Sequence, residues 1–147
     1  MKALVRNILI AIGGAFLLQE AQVLLDSDYI IKFLDGNLVS LLIALLAINT
    51  ASLGIVLSKI REILDSGDGN SDFSATKSAM LYSIKEQIVL IFLSLILLML
   101  NNSNWLTTQP KLIPLIEISV ITCFTFSMLI LFDTAKSIFV ILSFKKK

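Results

Sequence analysis

The chain has 147 residues, 56% of them apolar, a formal net charge of +1, a single cysteine and no histidine. Without histidine the commonest proton shuttle and metal ligand is missing, which excludes zinc hydrolases and histidine-activated serine or cysteine nucleophiles. Cys123 alone forbids an internal disulfide, and the near-neutral charge, with no clustered basic and aromatic face, argues against direct nucleic-acid binding. The expectation is therefore an all-α, polytopic helical bundle of four transmembrane spans that is not an enzyme and carries no cofactor and no metal.

The first block, read as a span over residues 7–25, follows Lys2 and Arg6 and resembles the charged and apolar regions of a secretory signal. It is taken as a retained span with a close-packing face at Ala11, Gly14 and Ala15. Gln19, Glu20 and Gln22 make it a poor one. If it lies on the membrane surface instead, the bundle has three spans. An acidic outer loop follows, near Asp26 to Asp35.

Residues 37–58 form the clearest span, inside a stretch from Gly36 to Ser58 that holds no formal charge. Within it Ser40, Ala44, Ala47, Ala51, Gly54 and Ser58 recur at steps of four and three, the pattern of a helix-packing seam in lipid. Either another span of this chain or the same span of a second copy satisfies that seam. Asn49 and Ser52 fall off it, on the opposite side, so this helix is expected at the centre of the assembly.

Residues 59–79 read as a cytoplasmic hairpin that begins as a helical continuation and breaks at the Asp, Ser, Gly and Asn run of Asp65 to Asp72. Asp68, Asn70 and Asp72 alternate as in a calcium loop, but Phe73 stands where glycine is needed and Ala79 where a bidentate glutamate belongs. A solvated turn is the better reading, with Ser74 able to cap the next helix. That helix, the span over residues 80–101, is solidly apolar only from Ile88 to Leu100 and needs Lys85 to snorkel. Being mostly leucine and isoleucine, it is expected at the periphery.

The last span, residues 112–132, carries Glu117 and is followed by Asp133 and a tail over residues 133–147 expected to be helical and cytoplasmic. Both acids are intramembrane polar candidates together with Asn49 and Ser52. Three roles suit them: snorkelling to the nearer interface, an interhelical hydrogen bond, or handling a proton or ion. Lys145, Lys146 and Lys147 close the chain, and with Lys59, Arg61 and Lys85 they are candidate contacts for anionic lipid or a cytoplasmic partner.

Under four spans, ten of the twelve basic residues fall on the side of the two termini and only Lys32 and Lys111 fall on the other. That asymmetry places both termini in the cytoplasm. Short loops favour a bacterial inner membrane. Three function classes follow: a homo-oligomeric subunit that senses, anchors or scaffolds for a cytosolic protein; a small channel, holin or pore-forming effector lined by Asn49, Thr50, Ser52, Glu117 or Asp133; and an intramembrane enzyme, which the missing histidine and the lack of paired acids disfavour.

With four short spans, cytoplasmic termini and no enzyme site, the chain resembles in architecture the small inner-membrane subunits of bacterial anti-phage systems, of which the Kiwa membrane component is one. The resemblance implies a homo-oligomer that monitors the membrane and recruits a DNA-associated effector from below, in antiviral defence. No motif carries it, and no functional residue is transferred.

Overall fold

A computed structural model describes residues 2–65 and 74–142. The calcium-like positions Asp68, Asn70 and Asp72 and the terminal Lys145, Lys146 and Lys147 lie outside the described residues. The helices are α1 (Lys2–Leu24), α2 (Tyr29–Asp65), α3 (Ser74–Asn101), the short α4 (Asn104–Thr107) and α5 (Ile113–Leu142), with a 3-10 turn at Pro110–Leu112. Among the described residues there is no strand. Four helices are long and apolar enough to cross a membrane.

The surface is inverted relative to a water-soluble bundle. Leu9, Leu17, Val89, Phe92, Met99 and Phe139 are among many large apolar side chains left exposed, while Gln22, Asn49, Gln87, Ser94, Ser127 and Thr134 are buried. An apolar exterior of that extent is stable only against hydrocarbon. Exposed Tyr29 and Trp105 lie at one end of the bundle and exposed Tyr82 toward the other. Amphipathic rings at both ends fit the two membrane–water interfaces.

Consecutive long helices run antiparallel, so Arg6, Lys59, Arg61, Lys77, Lys85 and Lys136 gather at one end, called here the basic end. The central helix is α5, which packs against α1, α2 and α3; α2 and α3 also pack together, and the packing of α1 is concentrated on α5. Within the protomer the central place thus belongs to α5 and not to the 37–58 helix. The reason lies in which residues α5 offers: Val120, Ile121, Cys123, Phe126, Ser127 and Ile130 are all buried and cover more than one side of that helix. The leucine-rich α3 is the least buried of the four spans.

Helix ends explain where the boundaries shift. Asp26 adopts φ 47°, and the amides of Asp26 and Ser27 donate to the carbonyls of Val23 (3.2 Å) and Gln22 (2.9 Å). This is a Schellman termination with an aspartate at the left-handed position, which a short polar side chain tolerates. The chain then re-enters helix at once, so the expected loop from Asp26 to Asp35 shrinks to residues 25–28. Tyr29 to Asp35 are helical because Ile31 and Leu34 continue the buried spacing of Leu38 and Leu42. Lys32 pairs with Asp28 at 2.7 Å, and this bond holds the Asp28 carboxyl below its usual range.

At the far end of the chain no break occurs at Phe132. Residues 133–142 continue α5, because Asp133 to Leu142 contain neither glycine nor proline. At about 1.5 Å per residue α5 is roughly 45 Å long and α2 roughly 55 Å, so both project beyond a hydrocarbon layer of about 30 Å.

Candidate functional site

Two carboxamide–carboxylate pairs join α1 to α5. Asn7 Nδ2 donates to Asp133 Oδ2 at 2.6 Å, and Gln19 Nε2 donates to Glu117 Oε2 at 2.8 Å. The two acids therefore share the same arrangement, an interhelical hydrogen bond from a neutral carboxamide of α1. Between the pairs, the Thr125 hydroxyl lies 3.1 Å from the Ala11 carbonyl, on the small-residue face of α1.

The Glu117 pair is the end of a longer relay. Gln22, 6% exposed, donates through Nε2 to Gln19 Oε1 at 3.2 Å, while its own Oε1 accepts from the amides of Ile30 (2.8 Å) and Ile31 (3.3 Å). Those amides are orphan donors of the first turn of α2. Gln22 thus caps α2 from the preceding helix and, through Gln19, ties that cap to α5. The glutamines that make the first block poor by hydropathy are the ones turned inward. Glu20, by contrast, is exposed.

The seam residues Ser40, Ala44, Ala47, Ala51, Gly54 and Ser58 are all exposed on the single chain. A Cβ added at Gly54 meets nothing within 4 Å. No other span of this chain covers them. The face of α2 that does pack carries Leu34, Leu38, Leu42, Leu45, Asn49, Leu53, Val56 and Ile60, a second series at steps of three and four. Asn49 is 1% exposed, Ser52 is partly buried and Thr50 is exposed, its hydroxyl donating to the Leu46 carbonyl at 2.8 Å. Thr50 therefore does not line an interior path with Asn49.

Asn49 is not alone in the interior. The α2–α3 pair is tied at one end by Asn102 Nδ2 donating to Asp35 Oδ1 at 2.7 Å, and at the other by Val56 and Ile60 packed with Met80. Between these crossings Asn49 stands level with about residues 88–89 of α3, between Gln87 and Ser94. Gln87 and Ser94 are 1% and 0% exposed. The side-chain amides of Asn49 and Gln87 and the Ser94 hydroxyl make no hydrogen bond, although the Cys123 thiol, a weak partner, lies beside Ser94. Gln87 was legible: it falls in phase with Met80, Leu90 and Ser94.

At the basic end, α1 and α3 flank α5 without a packed interface of their own. The gap holds a cavity of about 370 Å³ lined by Asn7, Tyr82, Ser83, Glu86, Asp133 and Ser137, among others. Toward mid-bundle it meets an apolar groove of about 490 Å³ walled by Ile8 and Ile12 on one side and Leu90, Leu93 and Leu97 on the other. Phe126 lines both, so the two adjoin over α5, and together they are called here the α1–α3 cleft. Sequence reading missed Glu86, whose signal was its place one turn before the in-phase Leu90.

Of the expected lipid or partner contacts, Lys59 pairs with Glu62 at 2.9 Å and Arg61 with Asp65 at 3.8 Å, while Lys85 is exposed. No protein-family model matches the chain, and no curated protein or solved structure matches it either.

Proposed function

We propose that this chain is a multi-pass subunit of a bacterial inner membrane, with both termini in the cytoplasm, that self-associates through the outward face of α2 and works without catalysis as a sensor, anchor or scaffold for a cytosolic protein. One observation carries the reading: six small residues run about 27 Å along α2 on a face that nothing in the protomer covers. In lipid, where no hydrophobic force drives helices together, small residues let backbones approach and gain van der Waals contact. A face meant only for lipid has no such requirement, as exposed Val89, Phe92 and Ile96 of α3 illustrate. The cytosolic partner belongs to the same proposal, docking on the basic end, and a role in anti-phage defence follows from the architectural resemblance.

Cysteine placed at Ala47 or Gly54 should crosslink two copies in native membranes, and cysteine at Val89 should not. Ala47→Leu together with Gly54→Leu should abolish that crosslink. Equal crosslinking from α2 and α3, or none from either, overturns the self-association. Reporter fusions at the carboxyl terminus and within residues 66–73 should both read cytoplasmic, and affinity purification from mild detergent should retain a cytosolic protein.

A pore reading is favoured by a different observation, the buried and unbonded Asn49, Gln87 and Ser94 between α2, α3 and α5. It requires that expression of the chain alone depolarise cells and that Asn49→Leu suppress this. A scaffold leaves the membrane potential unchanged.

A further inference from the structure

The cleft between α1 and α3 has two chemically distinct halves, and their order matches a lipid of the basic-end leaflet. Along α5, Asp133 lies about 30 Å from Ile113, one hydrocarbon thickness. The polar half of the cleft, with Glu86 and Asp133, is thus at headgroup level at the basic end. The apolar half, floored by Thr122, Cys123 and Phe126, runs from there toward the middle of the bilayer, where an acyl chain would lie.

Charge decides the headgroup. Among the described residues, the three ion pairs are Lys32 with Asp28, Lys59 with Glu62 and Arg61 with Asp65, so neither Glu86 nor Asp133 is neutralised by a base. Asp133 accepts one hydrogen bond from Asn7, and Glu86 makes none among the described residues. Two carboxylates from different helices facing one cavity call for a cation with several N–H donors.

We infer that the α1–α3 cleft binds one phospholipid with a primary ammonium headgroup, its ammonium held by Glu86 and Asp133 and one acyl chain in the groove. Neither self-association nor a cytosolic partner is needed for this. It requires only that the chain reside in a bilayer. A choline headgroup fits poorly because its trimethylated nitrogen has no N–H to donate, and an anionic glycerol headgroup brings no cation to the carboxylates.

The test uses the full chain purified in a maltoside detergent and incorporated into nanodiscs of equimolar dioleoyl phosphatidylethanolamine, phosphatidylcholine and phosphatidylglycerol. After re-extraction, the co-purifying lipid is counted by mass spectrometry. Phosphatidylethanolamine should exceed phosphatidylcholine by roughly tenfold, the worth of one charge-assisted hydrogen bond. Glu86→Gln, which removes no hydrogen bond within the protein, should erase most of that preference. Thr122→Trp, which fills the groove, should lower retention of all lipids, and circular dichroism reports whether both variants keep their helices. Equal retention of the three headgroups by the parent chain, or an unchanged preference in a folded Glu86→Gln variant, overturns the inference.

Discussion

The two faces of α2 carry similar periodicities and opposite fates. One presents Leu34, Leu38, Leu42, Leu45, Leu53, Val56 and Ile60 to α3 and α5 and is buried along its length; the other presents Ser40, Ala44, Ala47, Ala51, Gly54 and Ser58 and is bare. On this helix large branched side chains fill the space toward its neighbours, whereas the small residues of α1, Ala11 and Ala15, are buried against the rest of the bundle. Heptad-like spacing therefore identifies a surface suited to packing, and only the tertiary structure tells whether its partner lies within the protomer.

Breaking the large face should have the largest effect on the protomer. Leu38, fully buried in one core cluster with Ala15, Val120 and Ile121, helps join α1, α2 and α5. Leu38→Ala is expected to destabilise by about 2–5 kcal/mol, read as a lower unfolding midpoint in detergent. The cap that starts α2 comes next. Gln22→Leu leaves two helix amides and the Gln19 carbonyl without their partner, at about 1–3 kcal/mol for the buried groups, and hydrogen exchange at Ile30 and Ile31 should accelerate.

Asn49 sharpens the comparison, since it is the one amide on the leucine face. Asn49→Leu removes a buried polar group that makes no hydrogen bond and keeps the γ-branched shape, so it should stabilise the isolated chain by about 1–3 kcal/mol. A loss of stability in that variant would mean that Asn49 has a partner in the working assembly, as the pore reading requires. Smallest in its effect on the protomer is Ala47→Leu on the bare face. Its unfolding midpoint should stay within measurement error while the crosslinked species disappears.

The two acids of α5 repeat the lesson at the level of single side chains. Glu117 and Asp133 both accept from a carboxamide of α1, yet Glu117 closes a relay through Gln19 and Gln22 to the start of α2, whereas Asp133 faces a cavity beside Glu86. Their roles separate by surroundings, not by residue type.

Span number, the gathering of bases at one end and the periodic faces of α2 were all legible in the chain, because hydropathy and helical spacing are local properties summed over about twenty residues. Gln19 and Gln22 read as defects for the same reason: hydropathy scores each side chain as though it faced lipid. Whether a polar group meets hydrocarbon or a partner from another helix depends on rotation about the helix axis, and that is set by packing. The central place of α5, the inward turn of Gln22, the bare small face of α2 and the meeting of Glu86 with Asp133 across the cleft were decided there, by contacts between residues up to 126 positions apart.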